Sequence, residues 1–233
     1  MSPSWWISST EAEIYASLGN PLEWRVAYPA LFQQLGIATE KRSPVLDYGC
    51  GPGVVASFIA DTYAHEVVGC DISSEMIEIA GRDAARPGVR FIHFTDQSRE
   101  TFPDGHFGAA ICTFVLCVLE DGEQHLSIGR EIHRLLRPDA PFGLIVPHPD
   151  STGVQFSTCR SGDPDRRYDP GDPMTTLLSS NGNHLVIEDY YWPTEWYEKL
   201  LAECGFRSVV THAPKAGKGE PDRAPFLIVT GKR

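Results

Sequence analysis

From Val45 to the end of the chain, short apolar runs alternate with stretches of helical spacing. This alternation limits the fold more than any other feature of the sequence. Val45-Leu46-Asp47-Tyr48, residues 66–71, residues 90–94, residues 108–113 and residues 142–147 each read as a strand. Between them, Val55, Phe58, Ile59 and Tyr63, then Met76, Ile77, Ala80 and Ala84, then Ile128, Ile132, Leu135 and Leu136 recur as they would on one face of a helix. Strict β-α alternation implies crossover connections, hence a parallel sheet with helices on both faces. His184-Leu185-Val186-Ile187 reads as a short strand. Trp196 to Cys204 reads as a helix stopped by Gly205, and residues 207–211 and 226–230 read as two last strands.

The two ends of this pattern differ from its middle. Residues 1–40 carry Ile14, Tyr15 and Leu18, then Val26, Tyr28, Leu31, Phe32 and Leu35, and are expected to form two helices broken near Asn20-Pro21. Residues 149–182 are rich in Gly, Pro, Asp and Ser and are expected to be a long loop. A loop of that length inside a compact domain is usually functional. The expected organisation is a helical cap over residues 1–40 and one α/β domain over 41–233, with a lid or substrate-binding insertion at about 149–192.

Charge and cysteine usage narrow the partners. With 20 Lys and Arg against 31 Asp and Glu, the formal charge is −11. That disfavours nucleic acid, whose phosphates need clustered cations, and leaves a small molecule as the expected partner. None of the six cysteines forms a CxxC pair, so no metal site is expected, and free thiols in apolar runs suit a reducing cytoplasm. The N-terminus lacks the pattern of a signal peptide, and no apolar run approaches the ~20 residues of a membrane span. A monomer or a homodimer is expected.

The turn after the first strand reads Gly49-Cys50-Gly51-Pro52-Gly53. In a doubly wound sheet this is where ligands bind, because glycines let the backbone fold tightly and let a ligand come close. A dinucleotide fingerprint requires a different spacing, and position 54 is Val. A phosphate loop would need Gly-Lys-Ser/Thr, which does not follow. Asp47 sits two residues before the first glycine, where it would repel a pyrophosphate and attract an ammonium or sulfonium. Asp71 ends the second strand, about 20 residues past the glycines, and can accept from ribose hydroxyls. Asp96 follows the third and can accept from an adenine amine.

Residues 45–53, together with Gly69-Cys70-Asp71-Ile72-Ser73-Ser74-Glu75-Met76, resemble the first two motifs of the class I S-adenosylmethionine (SAM)-dependent methyltransferases. The resemblance is to the broad ubiquinone/menaquinone-biosynthesis-like group that acts mostly on small molecules. Residues 102–110, 135–140 and 201–206 resemble its later segments. Gly108 stands where that family has an acid, and Asp139-Ala140 replaces a double glycine. The resemblance implies a Rossmann-like, mostly parallel seven-stranded sheet with an antiparallel C-terminal strand. It implies SAM as cofactor and S-adenosylhomocysteine as product. It implies that Gly49, Cys50, Gly51 and Gly53 face the methionine part, with Asp71, Ile72 and Met76 at the ribose and adenine. Asp96 and Gln97 would then meet the adenine edge, and Thr113 and Phe114 the sulfonium.

Methyl transfer is a direct displacement, in which the protein chiefly aligns the reactants. A base is needed only where the nucleophile carries a proton. His148, just past the fifth strand, is the candidate base, with loop shaping as the alternative. His125 and His133 are expected on a helix surface. Tyr15 and Tyr168 are candidate active-site aromatics, able to hold a sulfonium through cation–π contact. Tyr28, Cys117, Asp150, Tyr190 and Trp192 are candidate substrate contacts, and Asp189 joins Asp150 as a group that can orient a basic substrate. The expected activity is methyl transfer to an O, N or C nucleophile of a small molecule in biosynthetic or secondary metabolism. The alternatives are a SAM-using cyclase or lyase on the same fold, and a catalytically silent SAM-binding module.

Overall fold

A computed structural model describes residues 8–95 and 102–233. The chain runs through α1 (Ser9–Ser17), α2 (Pro21–Gln34), β1 (Val45–Tyr48), α3 (Val54–Tyr63), β2 (Val67–Asp71), α4 (Ser74–Asp83), β3 (Val89–His93) and β4 (Ala109–Thr113). It continues through α5 (Gly122–Leu135), β5 (Pro141–Pro147), β6 (Cys159–Ser161), β7 (Pro173–Ser180), β8 (Asn183–Tyr190), α6 (Thr194–Glu203), β9 (Arg207–His212) and β10 (Phe226–Lys232). Seven strands form the main sheet in the order β3-β2-β1-β4-β5-β10-β9. β1 to β5 pair in parallel, and β10 runs antiparallel to both neighbours. This is the doubly wound sheet expected from the alternation.

The strands are apolar on both faces because both faces are covered. Val45, Val67, Ala109, Ile111, Ile145, Phe226 and Ile228 pack with α2 and α3. Their neighbours Leu46, Val68, Ala110, Cys112, Leu144, Val146, Leu227 and Val229 pack with α5 and α6 on the other side. Asp47 has the parity of the α2 face, which puts its carboxyl in that buried layer at 1% exposure. All six cysteines are buried and free.

Two departures from the family pattern have local reasons. A Cβ on Gly108 would stand 2.3 Å from the Arg42 carbonyl oxygen, so no acid fits there. Asp139 adopts φ +63°, the left-handed turn conformation that a glycine would take and that Asp tolerates.

The segment expected as a loop is built differently. β6, β7 and β8 form a separate antiparallel sheet. Asn181 and Gly182, both at positive φ, make the tight turn between β7 and β8. An Asn-Gly pair flanked by alternating strands is a hairpin signal. The inward residues Met174 and Thr176 on β7, and Leu185, Ile187 and Asp189 on β8, alternate with exposed ones. α1 packs against both α4 and β8, so the N-terminal helix links the main sheet to the small one. Among the described residues no helix is long and apolar enough to cross a membrane.

Candidate active site

The sheet order reverses between β1 and β4, and the site opens at the carboxyl ends of these strands, as the topology requires. Gly49 has φ +76°, and a Cβ there would stand 2.1 Å from Val115 Cγ2. Its N–H and that of Cys50 donate to the Cys70 carbonyl, at 2.7 and 3.0 Å. The Gly51 N–H donates to Asp71 Oδ2 at 2.9 Å, and the Ser73 N–H donates to Asp71 Oδ1 at 2.9 Å. Asp71 therefore ties the glycine turn to the end of β2. Each of its oxygens keeps a lone pair for a ligand hydroxyl. Gly53 acts differently: a Cβ there would stand 2.4 Å from the Phe91 ring and 3.0 Å from Ala80, so this glycine lets α3 close onto the sheet.

Three adjoining cavities lie around the turn, and Tyr15 lines all of them. The first, about 750 Å³, is bounded by Gly49, Gly51, Asp71, Ile72, Met76, Phe94, Thr113 and Phe114. The second, about 530 Å³, is bounded by Asn20, Trp24, Tyr28, Asp47, Gly49, Cys50, Gly51 and Thr113. Neither oxygen of Asp47 has a well-formed hydrogen bond among the described residues. Burial, then the Asp71 charge, push its pKa up to about 7, and the Ala56 N–H offsets this only in part. A buried acid left this way suits a cationic ligand group. SAM carries an ammonium at one end and a nucleoside at the other, and the residues fit both ends. Phe114 holds φ +58°, an uncommon conformation for a bulky residue, with its N–H on the Ile145 carbonyl at 2.8 Å. This turn sets its ring between the nucleoside cavity and the third cavity.

The third cavity, about 660 Å³, lies between α2, the end of β5 and the small sheet. Phe114, Val154, Phe156, Leu178, Ile187 and Phe226 are among its apolar lining residues. Its polar groups are Tyr15, Asn20, Glu23, Cys117, His148, Ser151, Cys159, Ser161, Thr176 and Asp189. His148 Nδ1 accepts the Asp150 N–H at 3.2 Å, so a neutral ring carries its proton on Nε2. Burial lowers its pKa, against the Asp150 charge. Cys117 lines the wall as a thiol whose pKa burial drives well up.

Several candidates fall elsewhere. The Tyr168 hydroxyl accepts the Asp163 N–H at 2.9 Å, and its ring stacks on Tyr191 beneath the Arg166 guanidinium, outside all three cavities. Asp150 is exposed and lines none of them. Tyr28 stands at the Asp47 end, on the same cavity wall as Thr113, and not in the third cavity. The Trp192 N–H donates to the Leu119 carbonyl at 3.1 Å within the core. Trp192 and Tyr190 reach only a small adjoining cleft beside Pro149 and Met174. His125, expected at the surface, is fully buried between Leu119 and Trp196, and burial lowers its pKa to about 4. Asp96 and Gln97 lie outside the described residues.

Sequence reasoning missed Glu23, Asn20 and Thr176. Glu23 had a readable signal, since it sits among Leu22, Val26 and Ala27, the buried stripe of α2.

Residues 45–139 match the methyltransferase domain family. The chain is 38% identical over 231 residues to N-demethylindolmycin N-methyltransferase of Streptomyces griseus, covering 97% of this chain and 98% of that one. The chain belongs to the class I SAM-dependent methyltransferases, and SAM is its cofactor. Two solved structures share the fold. The CcbJ methyltransferase of Streptomyces caelestis superposes with a TM-score of 0.64 at 20% identity, over 91% of this chain and 89% of that one. The 1,6-didemethyltoxoflavin-N1-methyltransferase of Burkholderia thailandensis, solved with its acceptor and S-adenosylhomocysteine, gives 0.57 at 17% identity, over 97% and 87%. The chain is an enzyme that methylates a small molecule.

Proposed function

We propose that this methyltransferase acts on a nitrogen of a small, largely apolar secondary metabolite bound in the third cavity. The observation that carries this reading is the end-to-end likeness to an enzyme named for N-methylation of N-demethylindolmycin. We favour such an acceptor over a quinone-type one. SAM supplies an electrophilic methyl on a sulfonium. Asp47 holds the ammonium end, Asp71 the ribose hydroxyls, and Ile72 and Met76 the adenine, with Asp96 and Gln97 at its edge. Thr113 and Phe114 border the sulfonium, and Tyr15, shared by all three cavities, aligns it with the acceptor. Residues 1–40 act as the cap and 149–192 as the opposite wall. Six free thiols support a cytoplasmic setting, and the net charge of −11 supports a small-molecule partner over nucleic acid.

The test incubates the purified protein with methyl-labelled SAM and N-demethylindolmycin, alongside a panel of cell-extract metabolites, and analyses the products by mass spectrometry. Label on an acceptor nitrogen with release of S-adenosylhomocysteine is expected. Label on oxygen or carbon would overturn the nitrogen assignment. Methylthioadenosine would instead mark a cyclase or lyase, and bound but unconsumed SAM a silent module.

A further inference from the structure

The third cavity contains two acids that the protein itself leaves unsatisfied. Glu23 enters from α2 and Asp189 from β8, so the cap and the small sheet each contribute one. They are 6% and 1% exposed. Among the described residues Glu23 Oε2 and Asp189 Oδ1 have no hydrogen-bond partner. Asp189 Oδ2 accepts from Thr176 Oγ1 at 2.6 Å, which fixes the carboxyl and leaves the other oxygen available. Among the described residues no Lys or Arg lines the cavity. Arg25, two residues on from Glu23, is engaged with Glu220 at 2.7 Å.

An unpaired buried carboxylate costs several kcal/mol, and two in one apolar chamber are intelligible if the ligand brings the donors. The other titratable groups of the chamber stay neutral. Burial raises the pKa values of Tyr15 and Cys117 strongly and that of Cys159 to about 12, and it lowers that of His148. With Nδ1 engaged by the Asp150 N–H, His148 offers the cavity a donor and not a base.

We propose that the acceptor is an apolar body bearing a basic, N–H-rich nitrogen group (an amine, amidine or amino-heterocycle) whose N–H groups bond Glu23 Oε2 and Asp189 Oδ1. This rests on the nitrogen reading above. Glu23 or Asp189 takes a proton from the nitrogen group and passes it to water, which frees the lone pair. As that lone pair forms the N–CH₃ bond, the S–CH₃ bond breaks and its electron pair stays on sulfur. Phe114, Phe156 and Phe226 hold the apolar body.

The test uses benzamidine as the probe, with acetophenone as the analogue of similar ring size that lacks N–H groups. Each is titrated by calorimetry into protein saturated with S-adenosylhomocysteine, at about pH 8, above the value of about 7 to which burial raises both acids. Benzamidine is expected to bind at least ~10-fold tighter than acetophenone. Glu23→Gln and Asp189→Asn are each expected to weaken benzamidine ~10-fold or more while leaving acetophenone unchanged. Retained binding of S-adenosylhomocysteine shows that the variants are folded. Equal affinity for the two probes, or benzamidine binding indifferent to both substitutions, would overturn the proposal. The two readings fail separately. Methylated nitrogen with indifferent variants removes only the carboxylate pair, and pair-dependent benzamidine binding with a methylated oxygen removes only the nitrogen assignment.

Discussion

The cofactor half of the site and the acceptor half are built on opposite principles. The cofactor half is made of backbone. Gly49 and Gly51 bring main chain to the cavity wall, Asp71 clamps the turn through two N–H groups, and these glycines and acids lie at strand ends between residues 47 and 71. The acceptor half is made of side chains drawn from α1, α2, the end of β5, the small sheet and the start of β10. A backbone site binds whatever matches its fixed shape. A side-chain site is altered by single substitutions that leave the sheet untouched. One fold can therefore keep its cofactor while its acceptor changes.

This contrast can be broken or sharpened by four measurements. The largest effect should come from Gly49→Ala. The new methyl would meet Val115 at a backbone angle that alanine disfavours, and SAM affinity by calorimetry should fall about 100-fold. If alanine there left SAM binding intact, the cofactor half would not depend on backbone approach. Next, Asp189→Asn should stabilise the ligand-free protein as pH rises. Burial raises the folded Asp189 pKa to about 7, above the ~3.9 of an unfolded chain. The folded state therefore holds a proton that the unfolded state has lost, and wild-type stability falls through this group between about pH 4 and pH 7. Urea unfolding should find the variant similar to wild type near pH 4 and a few kcal/mol more stable near pH 8. Equal stability at both pH values would mean that Asp189 Oδ1 also has a donor within the protein. Asp71→Asn should weaken SAM about tenfold, since an amide can accept from only one of the two N–H groups. The smallest effect belongs to Tyr168→Phe. Its hydroxyl serves the Asp163 N–H, so kcat and KM should stay within about twofold while stability drops by roughly 1 kcal/mol. A large kcat loss would bring Tyr168 into the acceptor half.

The same contrast explains what could be read in advance. The seven main strands were legible because burial on both faces produces continuous apolar runs, and the helices because one face repeats at helical spacing. The cofactor turn was legible because its glycines and acids are neighbours in sequence. The acceptor half was not, because proximity along the chain says nothing about Glu23 meeting Asp189 across a cavity. The hairpin of β7 and β8 was hidden by a Gly-, Pro- and Asp-rich approach, although Asn181-Gly182 and the alternation of Met174, Thr176 and Leu178 carried its signal. His125 was misread because its helix turns it toward α6, where Trp196 waits with an indole N–H, 2.9 Å from Nδ1. Tyr168 was misplaced because an aromatic in a polar segment has no periodicity to orient it.

α1 is nine residues long and leans on α4 at one side and on β8 at the other. Its Tyr15 belongs to the wall of all three cavities around the glycine turn. With the acceptor in the third cavity, as proposed, a shift of α1 that opened that cavity would open both cofactor cavities as well. Release of the two products would then be coupled through a single short helix at the rim of the sheet.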